Sequence, residues 1–505
     1  MQNNVLDYLD NIVKIKPEKI AFANEKDEYT FSEVYEMSHK VGTFFAKANY
    51  YKKPVLIFME KHPKTIMAFF GVIASGNFYV PIDAEMPESR MNLIIENCNP
   101  DYIVCDSETI AKADNFKFEG KKVLFDEIIE KTILDETAED NLQAIHDKAL
   151  DVDPIYIVFT SGSTGVPKGV AACHRSVIDY IEQLSEVLEF DENTVFGNQT
   201  PLYFDACLKE LYPTLKFGAT TYLIPKQFFT YPVQLVEFLN EKKINTICWV
   251  VSALTMISAF NTFKTVIPEY LRTIAFGSEV FPKKQYKIWR ETLPSTKFIN
   301  LYGPTEGTGM CCYFKCEREL SDDEPIPVGR PFKNTEILLL DENNKQANEG
   351  EICIRGTSVT LGYYNNPEKT SESFVQNPLN TAYPEIIYRT GDIGRINDYG
   401  ELVFVSRKDY QIKHMGHRIE LGEIEANVNL VEGIKLCGAI YDDDKDKIVL
   451  YYVGDIEKGP LMLALKEKVP RYMLPNKMIK IDEMPFTANG KIDRKGLKEI
   501  YNGRN

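Results

Sequence analysis

Several features that mark whole classes of protein are missing from this sequence. Basic residues are outnumbered, 58 Lys and Arg against 74 Asp and Glu, and the net charge of −16 argues against nonspecific binding to nucleic acid or acidic membranes. No Cys-x-x-Cys pair occurs among the 10 cysteines, and no histidine near Cys311, Cys312 and Cys316 completes a zinc site. The sequence therefore predicts reduced, buried thiols in a cytoplasmic protein.

A secretion signal and a membrane span are also missing. The first fifteen residues contain Asp7 and Asp10 and lack the basic start and apolar centre of a signal peptide. The uncharged stretch 244–263 is interrupted by polar side chains, so we expect a buried strand followed by a buried helix there. Hydrophobic residues at 44% and charged residues at 26% exclude both disorder and a long coiled coil.

Short apolar runs alternate with amphipathic patterns through the first four hundred residues. Strands are predicted at 55–59, 78–82 and 102–105, with helices at 64–74 and 91–96 between them. This β-α-β alternation predicts mainly parallel sheets covered by helices, which is an α/β fold.

The pattern changes after residue 334. Short strands at 336–340, 351–355 and 402–405 are separated by turns rich in Asn, Gly and Asp, which predicts a small antiparallel β subdomain. From residue 406 onward there are 18 basic and 16 acidic residues, a net charge of +2 that leaves −18 for the rest of the chain. We therefore predict a large core over 1–408 and a small, mobile α+β domain over 409–505, which makes the whole chain a multidomain α+β protein.

A loop rich in Gly, Ser and Thr follows the predicted strand 155–159. Its backbone N–H groups and hydroxyls, together with Lys168, suit an anion such as phosphate. It is not a Walker A loop, because Gly162 and Gly165 have the wrong spacing and Gly169 follows the lysine. A flexible surface turn is the alternative interpretation.

A second motif, Asn-Leu-Tyr-Gly-Pro-Thr-Glu at 300–306, follows the predicted strand 297–300. It combines an aromatic ring, a tight turn, a hydroxyl and a carboxylate in seven residues. That set suits a base, a phosphate and a Mg²⁺ ion, since Mg²⁺ prefers oxygen ligands. A plain turn with a capping Thr and Glu is the alternative.

With these motifs the sequence resembles the adenylate-forming enzymes, specifically the amino-acid adenylation domains of nonribosomal peptide synthesis and the D-alanine–carrier-protein ligases. The matching segments keep the family's order, at 79–83, 160–169, 204–206, 300–306, 350–356, 388–392, 406–409, 411–425, 471–475 and 489–494. The resemblance implies two half-reactions. A carboxylate attacks the α-phosphate of ATP to give an acyl-adenylate and pyrophosphate, and a carrier-protein phosphopantetheine thiol then takes the acyl group.

The resemblance also implies ATP and Mg²⁺ as cofactors and assigns residues to them. The ATP-binding residues would be Thr160, Ser161, Gly162, Ser163, Thr164, Gly165 and Lys168 on the pyrophosphate side, Asn300 and Tyr302 at the adenine, Gly303 in the turn that follows, Thr305 at the α-phosphate, Asp392 and Arg407 at the ribose, and Lys491. Glu306 would bind Mg²⁺, Lys491 would be the catalytic residue, and Asp409 would mark the interdomain hinge. A solvated acid for Asp392 and a surface ion pair for Arg407 are the alternatives.

Asp205 separates the subfamilies that the resemblance leaves open. In amino-acid-activating members an aspartate here pairs with the substrate α-ammonium, whereas acyl- and aryl-CoA ligases have no such cation to bind. The alternative is an internal pair with Lys209, one helical turn later. The resemblance assigns the substrate pocket to Asp205, Ala206, Lys209, Ser252, Ile274, Phe276, Leu301, Gly309 and Met310.

Two pocket residues bear on the choice of amino acid. Phe276 is expected to shorten the pocket and exclude aromatic substrates. Lys209 meets a carboxylate or other acceptor on the substrate, or it turns to Asp205 or water, because a lysine in an apolar pocket is costly unless paired. A small neutral amino acid, D-alanine included, and a small acidic or polar one both remain open.

The resulting expectation is an ATP-dependent amino-acid:carrier-protein ligase. Within the same fold the alternatives are a D-alanine–carrier-protein ligase of teichoic acid modification and an acyl- or aryl-CoA ligase. A catalytically silent scaffold is the alternative of another class. No phosphopantetheine attachment motif follows Arg494, so we expect the carrier to be a separate polypeptide, and we expect neither nucleic acid nor membrane insertion.

Overall fold

The order of the elements confirms a mixed α/β fold. The computed structural model describes residues 2–162, 165–321, 324–486 and 492–503. Ser163, Thr164 and Lys491, three of the predicted ATP-binding residues, lie outside the described residues.

The strands, in chain order, are β1 (Ile20–Ala23), β2 (Glu28–Thr30), β3 (Pro54–Phe58), β4 (Phe78–Pro81), β5 (Tyr102–Cys105), β6 (Lys121–Leu124), β7 (Pro154–Thr160), β8 (Lys168–Cys173), β9 (Val195–Asn198), β10 (Thr220–Leu223), β11 (Thr246–Val250), β12 (Thr273–Gly277), β13 (Lys297–Tyr302), β14 (Cys312–Lys315), β15 (Arg330–Pro331), β16 (Thr335–Leu340), β17 (Glu349–Gly356), β18 (Phe374–Gln376), β19 (Ile386–Ile396), β20 (Leu402–Arg407), β21 (Gln411–His414), β22 (His417–Glu420), β23 (Ile434–Asp442), β24 (Lys447–Gly454) and β25 (Lys477–Lys480).

The helices are α1 (Asp7–Ile15), α2 (Phe31–Lys47), α3 (Pro63–Ala74), α4 (Glu88–Cys98), α5 (Ile110–Ala113), α6 (Phe125–Lys131), α7 (Glu136–His146), α8 (His174–Leu188), α9 (Leu208–Phe217), α10 (Pro232–Glu241), α11 (Val251–Ala259), α12 (Lys283–Thr292), α13 (Pro367–Ser373), α14 (Leu421–Asn429), α15 (Lys458–Lys466) and α16 (Arg494–Gly503).

Two largely parallel sheets form the bulk of the protein. The first has the order β6-β5-β3-β4-β7-β8, and only β8 runs antiparallel to its neighbour. The second has the order β15-β14-β13-β12-β11-β9-β10-β1-β2 and is parallel from β13 to β1. Their apolar strands are buried because helices pack against both sheets.

The sequence predictions for these sheets are confirmed with small shifts at the ends. The predicted strand 102–105 is β5, and the predicted helix 91–96 is the longer α4. The uncharged stretch 244–263 forms β11 followed directly by the buried helix α11. None of the helices in the described part of the chain combines the length and the apolar character that a membrane span requires.

The predicted antiparallel subdomain is the third sheet, in which β16, β17, β19 and β18 lie side by side and β20 pairs with β19. Beyond it, the hairpin β21–β22, the sheet β23-β24-β25 and their helices form what we call the C-terminal unit, the described residues from 409 to 503. The chain passes from the third sheet to this unit between Arg407 and Gln411. A domain boundary after residue 408 stays a prediction.

The cysteines behave as the sequence predicts. All ten are buried and free, and none forms a disulfide: Cys98, Cys105, Cys173, Cys207, Cys248, Cys311, Cys312, Cys316, Cys353 and Cys437.

Candidate functional site

The carboxyl ends of the parallel strands meet at one large cavity of about 1030 Å³. This is the edge at which open α/β sheets bind ligands, because side chains from adjacent strand ends converge there. The C-terminal unit closes the other side of the cavity with Lys413, residues 415–418 and residues 470–472. The predicted site residues that line it are Thr160, Ser161, Asp205, Ala206, Gly303, Thr305, Gly309, Met310, Asp392 and Arg407.

The predicted phosphate loop is shorter than the sequence indicated. Lys168 and Gly169 belong to strand β8, whose residues pair antiparallel with β7 from Thr160↔Lys168 onward. The loop therefore lies between residue 160 and residue 168. A side chain at Gly162 would place Cβ 2.0 Å from the Val166 carbonyl oxygen, so only glycine fits that turn.

Two groups of the loop already hold partners from the C-terminal unit. The Gly162 N–H donates a hydrogen bond to the Glu423 carboxylate at 3.1 Å, and the Ser161 hydroxyl donates to the Arg418 carbonyl oxygen at 2.8 Å. Glu423 is fully buried and forms an ion pair with Arg90 of α4. A backbone N–H of this loop thus donates to a carboxylate of the chain itself, and binding of a phosphate group by the loop stays a prediction.

Glu306, the predicted Mg²⁺ ligand, is a fully buried carboxylate between two cations. Its Oε1 accepts a hydrogen bond from the Tyr363 hydroxyl at 2.7 Å, and its Oε2 pairs with Nη1 of Arg418 at 2.7 Å. Burial alone raises its pKa, but the charges of Arg418 and Lys168 outweigh burial and lower the pKa of Glu306 to about 2. An ionised oxygen ligand that already attracts a cation fits Mg²⁺ once the guanidinium moves away.

The predicted ribose site is a connected network. Tyr302 donates its hydroxyl to Oδ2 of Asp392 at 2.5 Å, and Arg407 pairs with Oδ1 of the same carboxylate. Arg407 also holds Asp409, with its Nε and Nη2 donating at 2.6 and 2.7 Å. A carboxylate accepts about four hydrogen bonds, so Asp392 keeps acceptor capacity for two hydroxyls of a ligand. Asn300 donates its amide to the Pro327 carbonyl oxygen at 2.8 Å.

Asp205 lies at the start of a short 3-10 helix that leads into α9 and is 8% exposed at the cavity. Its Oδ2 is buried with no hydrogen-bond partner. Burial raises the pKa of Asp205 to about 6, against the lowering effects of the Lys209 charge and a hydrogen bond from Thr305. A buried carboxylate oxygen with no partner is costly unless a ligand supplies a donor.

The raised pKa predicts a pH dependence. The resemblance implies that ionised Asp205 pairs with a substrate ammonium group, and the ionised fraction falls as the pH drops through about 6. We expect kcat/KM for the amino acid to fall about fourfold between about pH 7.5 and pH 5.5 at saturating ATP. Asp205→Asn should lower kcat/KM and remove this titration, and an unchanged pH profile in that variant would contradict the assignment.

The remaining predicted pocket residues are not part of the cavity lining. Ile274 and Phe276 belong to a second apolar cluster, in which the Phe276 ring packs against Phe281 with centroids 5.1 Å apart. Leu301 is buried in the first cluster, and the Ser252 N–H donates to Glu279 at 2.7 Å. This packing does not support the expectation that Phe276 shortens the pocket.

Lys209 is 5% exposed in α9, one turn beyond Asp205 and Ala206. Over the ranges that the structure describes, no hydrogen bond or ion pair involves its ammonium group, so the predicted internal alternative, an ion pair with Asp205, does not form. Glu210, the next residue, is fully buried and accepts a hydrogen bond from the Asn198 amide at 3.2 Å.

The site contains residues that the sequence analysis did not single out. Arg418, Glu423, Arg90 and Tyr363 all contact predicted site residues or their neighbours. Arg418 and Glu423 lie inside the matched segment 411–425, but the resemblance assigned no role to either residue. Nothing in the sequence pattern singles out Arg90, whose partner is 333 positions away.

Comparisons with known proteins agree with this geometry. The family model for AMP-binding enzymes matches residues 9–364, more than half of the chain. Zwittermicin A synthase ZmaJ of Bacillus cereus is 30% identical over 499 residues, covering 95% of this chain and 92% of that protein. The D-alanine--D-alanyl carrier protein ligase of Staphylococcus aureus (strain Newman) is 30% identical over 515 residues, covering 99% and 100%.

Longer synthases and a solved structure are similar as well. The chain spans only 44% of the length of Tyrocidine synthase 1 of Brevibacillus parabrevis, to which it is 29% identical over 496 residues. The crystal structure of the Vibrio cholerae adenylation domain AlmE, in complex with glycyl-adenosine-5'-phosphate, has the same fold, with a TM-score of 0.82 at 19% identity over 100% of this chain and 98% of that one.

Proposed function

This chain belongs to the AMP-binding enzyme family and is an ATP-dependent adenylating ligase, and from that premise we propose that its substrate is an amino acid and its acceptor a carrier-protein thiol. The amino-acid carboxylate attacks the α-phosphate of ATP and expels pyrophosphate. The aminoacyl group then passes from the adenylate to the phosphopantetheine thiol of a carrier protein, and AMP leaves.

Asp205 is the observation that carries the amino-acid part of the proposal. Asp205 lines the cavity and its buried Oδ2 has no hydrogen-bond partner, so an α-ammonium group there would supply the missing donor. An acyl or aryl acid has no cation for this position, which weighs against a CoA ligase. Asp205 would thereby hold the α-carbon while the carboxylate points toward Thr305 and the phosphate groups.

The nucleotide would be held by the network of Tyr302, Asp392 and Arg407 at the ribose and by the loop after Thr160 at the phosphates. Mg²⁺ bound at Glu306 would neutralise charge on the phosphate oxygens. Negative charge also grows there during attack, so the cations Lys168 and Lys491 and the hydroxyl of Thr305 would act where stabilisation lowers the barrier most.

An ATP–pyrophosphate exchange assay across the amino acids, D-alanine included, tests the proposal. One amino acid or a small group of similar ones should support exchange of labelled pyrophosphate into ATP. In a second assay with that amino acid labelled, a phosphopantetheinylated carrier protein should accept the aminoacyl group as a thioester. The control replaces the carrier with CoA and the amino acid with acyl and aryl acids. Exchange with acyl acids alone, followed by transfer to CoA, would contradict the proposal.

Carrier loading should depend on salt. Residues 406–505 carry a net charge of +2 against −18 for the rest, so we expect an acidic carrier to dock on the C-terminal unit. The KM for the carrier should rise several-fold between about 0.05 and 0.5 M salt, because the Debye length shortens to a few ångströms. ATP–pyrophosphate exchange, which needs no carrier, is the control, and its rate should change much less with salt. Carrier loading that does not depend on salt would contradict this docking.

We further propose that the enzyme works in the cytoplasm. The ten free, buried thiols support a reducing compartment.

A further inference from the structure

A second cavity, of about 310 Å³, is separate from the site described above. It lies between the helices α1, α2 and α7 and the first residue of α8. None of the described residues lines both this cavity and the large one. Three of the six histidines in the sequence, His39, His146 and His174, line the second cavity together with the carboxylates of Asp10 and Glu139.

Two carboxylates and an imidazole meet at the wall of the second cavity. Asp7 and Asp10 are three positions apart in the first turn of α1, so they lie on the same side of that helix. His146 is the last residue of α7, and its Nε2 lies 2.7 Å from Oδ1 of Asp7. One ligand atom from each of the three side chains lies within 4.8 Å of the other two, and no other such group forms in the described ranges.

Asp10 is the member of this group that lacks a partner. Its half-buried carboxylate forms no hydrogen bond and no ion pair with the part of the chain that the structure describes. Burial and the charge of Asp7 raise the pKa of Asp10, although His39 and His146 oppose the rise. Two neighbouring carboxylates repel each other when both are ionised, and a cation between them removes that cost.

His174 is a second, independent observation that indicates a ligand. It is 4% exposed, its Nδ1 accepts a hydrogen bond from the Val5 N–H at 3.2 Å, and burial lowers its pKa to about 4. The ring is therefore neutral and carries its proton on Nε2. Among the described residues no group accepts that proton. A buried donor without an acceptor is costly, so the cavity needs an acceptor beside His174.

We propose that Asp7, Asp10 and His146 bind a divalent transition-metal ion, with Zn²⁺ preferred. Zn²⁺ binds carboxylate oxygens and imidazole nitrogens at about 2.0–2.2 Å, and ligand atoms within 4.8 Å of one another reach that distance by small side-chain rotations. The imidazole ligand disfavours Mg²⁺ and Ca²⁺, which prefer oxygen. Water molecules that complete the coordination would give His174 its acceptor.

The ion would join the first turn of α1 to the last turn of α7 and neutralise the negative charge between them. This inference does not rest on the proposed function, because the three ligands are not among the residues that line the large cavity.

The experiment measures equilibrium binding of Zn²⁺ to the full-length protein after treatment with a chelator. Dialysis against low-micromolar Zn²⁺ contains excess Mg²⁺, which occupies oxygen-only sites such as the one proposed at Glu306. We expect one Zn²⁺ per chain, and Co²⁺ in its place should give the visible absorption bands of a nitrogen–oxygen site. Asp10→Asn and His146→Gln should each weaken Zn²⁺ binding at least about tenfold and abolish those bands, since even an outer-shell change costs about 10- to 100-fold.

Asp27→Asn is the matched control. Asp27 also pairs with a histidine, His62 at 3.1 Å, but belongs to no group of three possible ligands in the described ranges. Its Zn²⁺ binding and Co²⁺ bands should equal those of the wild type. Circular dichroism should show the wild-type fold in every variant, because Asp10, Asp27 and His146 are all partly or fully exposed. If the wild type binds no Zn²⁺, or if binding survives both Asp10→Asn and His146→Gln, the inference is overturned.

Discussion

Replacement of Lys491 by alanine is expected to lower adenylate formation by at least about 10²- to 10³-fold, the usual cost of removing a group that stabilises developing charge. Transfer from a supplied acyl-adenylate should remain largely intact. The family resemblance gives the lysine of the matched segment 489–494 the task of bridging substrate carboxylate and phosphate oxygens. In the observed arrangement the C-terminal unit borders the cavity with residues that include His417, Arg418 and Tyr472. We propose that thiol transfer uses this surface of the C-terminal unit.

The two half-reactions are measured separately, the first by ATP–pyrophosphate exchange and the second by single-turnover transfer from a synthetic adenylate. Lys495→Ala is the matched control, because Lys495 is an exposed lysine of α16 only four positions away. It should leave both steps near the wild-type rate. A comparable loss of both steps in the Lys491 variant, with the fold intact, would contradict a role confined to adenylation.

Element order was readable from the sequence because local patterns decide it. The alternation of apolar runs with helical periodicity gives β3, α3, β4, α4 and β5 within a few residues of their observed ends. The sequence predicts a phosphate loop that is longer than the observed one. Its last residues, Lys168 and Gly169, belong to β8 and pair with β7. Strand pairing across a turn is a tertiary event that local composition does not report.

Which residues line the cavity was harder to predict from the sequence. The cavity contains the predicted Asp205, Thr305 and Asp392, which are anchored by sequence motifs. Ile274 and Phe276 do not line the cavity and pack in the second apolar cluster instead, because packing decides which residues of a strand meet the cavity.

The ion pairs that complete the site join distant parts of the chain. The pair of Arg418 and Glu306 spans 112 positions, and that of Arg90 and Glu423 spans 333. Such pairs depend on how the C-terminal unit sits on the rest of the protein, and no local signal encodes that.

Lys209→Ala is expected to change the substrate preference, because Lys209 is buried one helical turn beyond Asp205 and forms no close ion pair in the described ranges, although its charge acts on the carboxylates of Asp205 and Glu210. A buried cation is costly unless paired, and a carboxylate or other acceptor on the substrate side chain would give it a close partner. The loss of such a charge-assisted contact costs about 1.5–3 kcal/mol, roughly ten- to a hundredfold in kcat/KM for the acidic or polar substrate. Lys209→Met, which keeps about the volume of the lysine side chain but removes its charge, should have the same effect as Lys209→Ala.

The comparison uses kcat/KM from pyrophosphate exchange for small acidic, polar and neutral amino acids, D-alanine included. Lys216→Ala is the control in the same helix, because Lys216 forms its ion pair with Glu182 at 2.6 Å. That variant should keep both the rates and the ranking of substrates. If the ranking of substrates is unchanged in Lys209→Ala, the acidic substrate is excluded and a small neutral amino acid remains. The reason is that only an acidic or polar substrate would depend on the Lys209 ammonium group.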